Sequence, residues 1–309
     1  MMFRGFHQIL TSYSSSSLFR LSSCGKFFSS SVVARDGEAA VDLMGIASQV
    51  VIAKNPEEKL SLLLKGHQIC ESCSPSSLAI LTPSNNSGVE YDAPGRPDKP
   101  ELVHPTKMLT HKKLKVPLQI YLLHSLAHIE LNAIDIASDM VARFAPGMPL
   151  GFACDWFEVA YEEGVHFQLL CERLKQLNYS YGDLPGHDGL WRAADSTKED
   201  LVGRLVAIPL VQEARALDSK ERLNKKMVSC ADAVSAKLVE KICDEEIKHV
   251  KYGVKWLNYI AEQRNTSAKL LYQEGVLKYT GKVVGPFNVE SRTEAGMPTD
   301  WYQQTVTKN

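Results

Sequence analysis

The sequence predicts an all-α fold centred on four long helices. Three observations predict it. Long proline-free segments carry apolar residues at helical spacing. Two Glu-x-x-His motifs lie inside such segments, Glu163-Gly164-Val165-His166 and Glu246-Ile247-Lys248-His249. A lone glutamate precedes each at the same interval: Glu130 stands 33 residues before Glu163, and Glu213 stands 33 before Glu246.

Residues 1–35 contain Arg4, Arg20, Lys26 and Arg35, many serines and no acid; the first acid is Asp36. Phe3, Phe6, Ile9 and Leu10 supply apolar surface without a continuous secretory-type core. This is the composition of an organelle transit peptide and predicts a mitochondrial address, with a plastid as the alternative. Residues 36–116 read as an N-terminal helix and a wrapping segment. Val41, Leu43, Met44, Ile46, Ala47, Val50 and Val51 recur helically, and Pro56 suits a helix start. From 74 to 117 there are seven prolines, too long a stretch for a free loop, so ordered coil lying on the rest of the chain is expected.

Residues 117–264 hold the four helices. The first spans 117–144 and stops before Pro146-Gly147; the second spans 152–177. A crossover at 178–196 contains Gly182-Asp183-Leu184-Pro185-Gly186-His187-Asp188-Gly189. The third helix spans 197–218, kinked by Pro209, and the fourth spans 229–263. Two hairpins joined by one long crossover is the ferritin-like four-helix-bundle topology. Residues 265–309 form a C-terminal tail with a short helix near 268–280.

The motifs predict a two-metal site. Residues i and i+3 share a helix face, so a Glu and a His can grip one cation together. Glu130, Glu163 and Glu246 each fall on an apolar stripe, such as Trp156, Val159, Ala160, Phe167 and Leu170 around Glu163. Unpaired carboxylates there cost several kcal/mol or take up protons. Two divalent ions balance the four charges of Glu130, Glu163, Glu213 and Glu246 and leave His166 and His249 neutral. Ordinary surface ion pairs are the alternative.

Both motifs read Glu-Glu-x-x-His, so Glu162 and Glu245 compete for the ligand role. Glu162 shares a stripe with Asp155, Glu158 and Arg173, a solvent face, and Glu245 falls with Lys241, Lys248 and Tyr252. Glu163 and Glu246 are therefore the expected ligands. A third match, Glu101-Leu102-Val103-His104, lies between Pro100 and Pro105 and is set aside. His124 and His128 lie opposite Glu130 beside Asn132 and Asp135, which favours a supporting role over ligation. His187-Asp188 suits a structural loop cap or a cap over the site. Arg215 suits a carboxylate anchor or a surface ion pair.

Composition limits the function. The 44% hydrophobic and 23% charged fractions are those of a soluble globular protein. No apolar run of about 18 residues suggests a transmembrane helix. Beyond residue 35 there are 31 basic and 36 acidic residues, a net of −5, which makes nucleic acid an improbable partner. Cys70 and Cys73 form a single C-x-x-C without the second pair of a zinc site, leaving a redox role open.

These strings resemble an uncharacterised family of ferritin-like di-metal proteins of bacteria and plants. The resemblance rests on His124-x-x-Ala127-His128-x-Glu130, Glu162-Glu163-x-x-His166-Phe167, Glu213-Ala214-Arg215-x-Leu217-Asp218, Asp244-Glu245-Glu246-x-x-His249-Val250 and Pro286-Phe287-Asn288. Its most specific string is Tyr181-Gly182-Asp183-x-Pro185-x-His187-Asp188-Gly189-Leu190-Trp191. The resemblance covers roughly residues 39–298 and implies a four-helix bundle with a di-iron or di-manganese centre. Gly164 stands where an alanine is usual, and it can admit a neighbouring helix.

The expected function is an oxygen-dependent oxidoreductase holding two iron ions, with manganese the alternative metal. Its partners are then dioxygen and a small-molecule substrate or electron donor. A ferroxidase or iron-handling protein and a metal-stabilised structural bundle are the competing readings.

Overall fold

The computed structural model of the protein describes residues 43–73, 81 and 91–303. The transit segment expected at 1–35 lies outside the described residues, as do 74–80 and 82–90 of the wrapping segment. The described residues are almost entirely helix and coil, with one isolated parallel bridge between Leu102 and Gly186.

Residues 43–52 form α1. Helix α2 (Pro56–Ser72) follows, its first turn capped by the Asn55 side chain accepting from the Glu57 amide. After a short turn, α3 (His111–Leu114), come the four long helices. The first two, α4 (Leu118–Phe144) and α5 (Leu150–Gln176), start directly after Pro117 and Pro149 and form the most extensively packed pair. The crossover carries α6 (Gly189–Asp195), a helix that the loop-like residues of 178–196 do not announce.

The third long helix departs most from expectation. It runs through α7 (Leu201–Ala207), a π-helical stretch Ile208–Glu213 and α8 (Ala214–Ser229). Pro209 has no amide to donate, and the chain takes up a π stretch there. Gly253 makes room for this bulge, because a Cβ there would lie 2.8 Å from Cβ of Pro209. The helix then runs about ten residues past the expected end at 218, since Leu217 and Met227 are buried and Lys225 pairs with Glu221 one turn before it. Only residues 230–232 separate it from α9 (Ala233–Gln263), whose N-terminus Asp232 caps through the Ser235 amide. The tail adds α10 (Ala268–Gly275), α11 (Val289–Glu294) and α12 (Thr299–Tyr302).

Helix α4 is buried on two faces. One carries Ala127, Glu130, Ile134 and Ala137 toward the other long helices. The opposite face is a polar stripe that fastens the N-terminal segment and the crossover. Lys59 and Asp135, both fully buried, meet at 2.6 Å, and Arg96 pairs with the same carboxylate. Arg204 reaches Asp139 at 2.7 Å, and the Tyr91 hydroxyl donates to Asp139. His124 Nε2 accepts from the Gly182 amide at 2.9 Å, while His128 bonds the Tyr181 hydroxyl and the His187 carbonyl. Burial pushes both imidazoles down to about 4, so they serve as neutral hydrogen-bonding posts. The crossover also pairs with the wrapping segment, Val103 N to Gly186 O and Gly186 N to Glu101 O.

The tail is anchored by Arg292, fully buried and bidentate to Asp218 through Nε at 2.9 Å and Nη2 at 2.6 Å. Among the described residues no helix is long and apolar enough to cross a membrane.

Candidate metal centre

Helices α4, α5 and α9 each turn an acid inward at the same level. One ligand atom from each of Glu130, Glu163, His166 and Glu246 lies within 4.8 Å of the others. Glu163 and His166 are 1% exposed and Glu130 and Glu246 4%, so water does not solvate this charge.

Both histidines face the cluster through Nδ1. His166 Nδ1 lies 3.5 Å from Glu130 Oε2, 3.5 Å from Glu163 Oε2 and 3.7 Å from Glu246 Oε1. His249 Nδ1 lies 3.1 Å from Glu163 Oε1 and 2.8 Å from Glu246 Oε2. Glu163 and Glu246 thus each present one oxygen to His166 and the other to His249. Glu130 sits on the His166 side. Glu213, last residue of the π stretch and half-buried, stands outside the four-residue group but lines a small cavity together with Glu163 and His249.

The other nitrogen of each ring is held from outside, by an exchange between the motifs. His166 Nε2 bonds Glu245 at 3.0 Å, and His249 Nε2 bonds Glu162 at 3.1 Å. The first acid of each Glu-Glu-x-x-His run therefore supports the histidine of the other run. The expectation that Glu162 faces only solvent is corrected: its side chain is 25% exposed and bridges His249 to Lys248. Glu245 likewise joins His166 to Lys241. The doubled acids in both motifs were the sequence signal for this role.

The electrostatics of the cluster are set by its buried glutamates. Burial first, then the Glu163 charge, push the Glu130 carboxyl well above the usual range. Glu163 is held well below it, against burial, by the adjoining Glu130 carboxyl and by the His249 and His166 imidazoles beside it. Burial, then Glu246 and Glu163, raise Glu213. Burial works against charge on both imidazoles, yet the surrounding glutamates raise each well above the usual range. These shifts have one cause in common, buried carboxylate charge that favours a positive charge beside it. Among the described residues no lysine or arginine pairs with Glu130, Glu163 or Glu246, and Glu163 Oε2 and His166 Nδ1 remain buried without a hydrogen bond. Hard carboxylate oxygens and imidazoles around unmet charge fit divalent metal.

An apolar cavity of about 10 Å³ adjoins the cluster, room for about one water-sized molecule. Ala133, Ile136, Met140, Trp156, Ile208 and Pro209 wall it, and Glu163, Glu213 and His249 form its polar end.

The other candidates lie outside the cluster. His104 caps a turn by accepting from the Thr106 amide, and exposed Glu101 pairs through its backbone with the crossover. His187 Nδ1 accepts from the Gly189 amide inside the crossover. Arg215 is exposed. Gly164 does admit a neighbour: a Cβ there would lie 2.9 Å from Leu63 and 3.0 Å from Leu60 of α2.

A family model described as "Protein of unknown function (DUF455)" matches residues 52–303. The chain is 35% identical over 215 residues to an "Uncharacterized protein" of Haemophilus influenzae, covering 66% of this chain and 75% of that protein. No solved structure matches the chain.

Proposed function

We propose a two-metal centre for this chain, which belongs to the DUF455 family. The observation that carries the reading is the shared pair of carboxylates, Glu163 and Glu246, each facing Nδ1 of both His166 and His249. One metal would take His166 and Glu130, the other His249 and Glu213, with Glu163 and Glu246 joining them. Glu245 and Glu162 would fix each ring so that Nδ1 points inward. Four carboxylates match two divalent ions in charge, and the donor set suits iron or manganese. The four long helices are read with it as a ferritin-like bundle, supported by the two hairpins and the crossover between them.

The function we favour is an oxygen-dependent oxidoreductase. Bound iron(II) would supply electrons for dioxygen chemistry. The chain's own part would be to hold the ions in a buried pocket, present Glu213 beside Glu163 and His249 and keep the imidazoles oriented. The cavity favours a second reading, ferroxidase, because it has room for about one water-sized molecule and for no organic molecule of ordinary size. Residues 1–35 fit an organelle address; a fluorescent fusion lacking them should lose organelle import, and unchanged location would refute it.

Metal analysis of chain expressed without residues 1–35, followed by oxygen uptake with iron(II), tests the centre. About two metals per chain are expected, with less in His166→Ala, His249→Ala and Glu163→Ala. Equal metal content in all four proteins would sink the assignment. Turnover of many iron(II) ions per chain selects the ferroxidase; uptake that stops at the bound metal selects the oxidoreductase.

A further inference from the structure

The C-x-x-C of α2 takes no part in the metal centre, and its first cysteine faces a third. Helix α2 packs antiparallel on α5 in a register that three contacts fix. Leu60 and Leu63 lie against Gly164. His67 stacks on Tyr161 with ring centroids 4.1 Å apart and planes 3° from parallel. Gly66 lies against the ring of Phe157, where a Cβ would come within 2.1 Å of its Cζ. As the number rises along α2 it falls along α5, so the next turn of α2 brings Cys70 opposite Cys154. The two side chains share a hydrogen bond there, and both are partly exposed.

We propose that Cys70 and Cys154 are a redox latch, a modification site at which a peroxide closes a disulfide strapping α2 to α5. In the first step a Cys70 or Cys154 sulfur attacks the peroxide. The O–O bond breaks, the sulfur becomes a sulfenic acid and water leaves. The second sulfur then attacks that sulfenic sulfur, the S–O bond breaks, the S–S bond forms and a second water leaves. Two thiols and one hydrogen peroxide give one disulfide and two waters.

The site is built for slow closure. The hydrogen bond with Cys154, then burial, hold the Cys70 thiol far above the ordinary range, so little thiolate is present to react. What favours the disulfide is that the partners already face each other on two packed helices. Cys73, the residue after α2, lies close enough for its charge to act on Cys70, but its Sγ donates back to the Ile69 carbonyl at 3.3 Å. It is the competing partner. Closure would fix α2 beside the helix that carries Glu163, about 13 Å further along α5. The proposal does not depend on the metal reading, because an added oxidant tests it.

The full chain would be treated with hydrogen peroxide, its remaining thiols alkylated, and its non-reduced peptides mapped by mass spectrometry. A peptide pair linked through Cys70 and Cys154, lost on reduction, is the expected result. The oxidised protein should melt about 5–10 °C higher than the reduced one. Cys73→Ser should keep that rise, and Cys70→Ser or Cys154→Ser should remove it. A Cys70–Cys73 link, or alkylation of every thiol after peroxide, would overturn the proposal; both are read on unsubstituted protein and need no variant to fold.

Discussion

The Glu162 carboxylate crosses from α5 to α9 and accepts a hydrogen bond from His249 Nε2 at 3.1 Å. Glu245 returns the contact to His166 at 3.0 Å, so the two motifs support each other. Removing an outer carboxylate frees the ring to rotate and weakens the donor power of Nδ1. Glu162→Ala and Glu245→Ala should each weaken metal binding about 10–100-fold while leaving the saturated stoichiometry intact. Competition against a chelator of known affinity measures it. Affinity equal to the unsubstituted protein would show that these contacts are incidental.

Metal removal should cost stability. Without cations the folded chain must hold buried acids by taking up protons or by repulsion. The thermal midpoint of chelator-treated protein should lie about 5–10 °C below that of the metal-loaded form at saturating metal. A midpoint that ignores added manganese or iron(II) would argue for a purely structural cluster.

Acid should release the crossover. His124 and His128 are neutral in the fold, with values lowered to about 4 from an ordinary 6.5. Their stabilising effect is complete above the unfolded value near 6.5 and is lost as pH falls from there to about 4. A difference of that size is worth about 3 kcal/mol per histidine. The protection factors of the Gly182 and Leu184 amides, whose N–H groups donate to His124, should fall across this window. Protection factors unchanged between pH 7 and pH 4.5 would refute the post-like role.

Asp218→Ala should destabilise the tail strongly. It leaves the fully buried Arg292 without its carboxylate, a loss of about 3–5 kcal/mol. Replacing Arg292 by Met removes the charge with its partner and should cost less, because Asp218 keeps 11% of its side chain exposed to water. Urea denaturation of the two variants gives the comparison; equal midpoints would mean that the pair contributes little.

The repeated local pattern was legible because it is set by one helix at a time. The i,i+3 spacing puts Glu163 with His166 and Glu246 with His249 whatever surrounds them, and the apolar stripes marked Glu163 and Glu246 as the more deeply buried acid of each pair. Proline positions marked the starts of α4 and α5. The end of the third helix was not legible, since most of Ser219 to Val228 are exposed or half-buried polar residues, with Leu223 and Met227 packed against the core.

What the sequence by itself determined is therefore which faces carry charge and where helices begin. What only the tertiary structure decided is which faces meet. Glu162 reads as a solvent residue on α5 alone, and it becomes a histidine partner only because α9, 87 residues on, packs beside it. Glu213 depends on the π stretch around Pro209, which sets the helix rotation in a way that no local spacing reports. Contacts across such separations follow from how whole helices rotate and pack to bury their apolar stripes, a property of the assembled core rather than of any one segment.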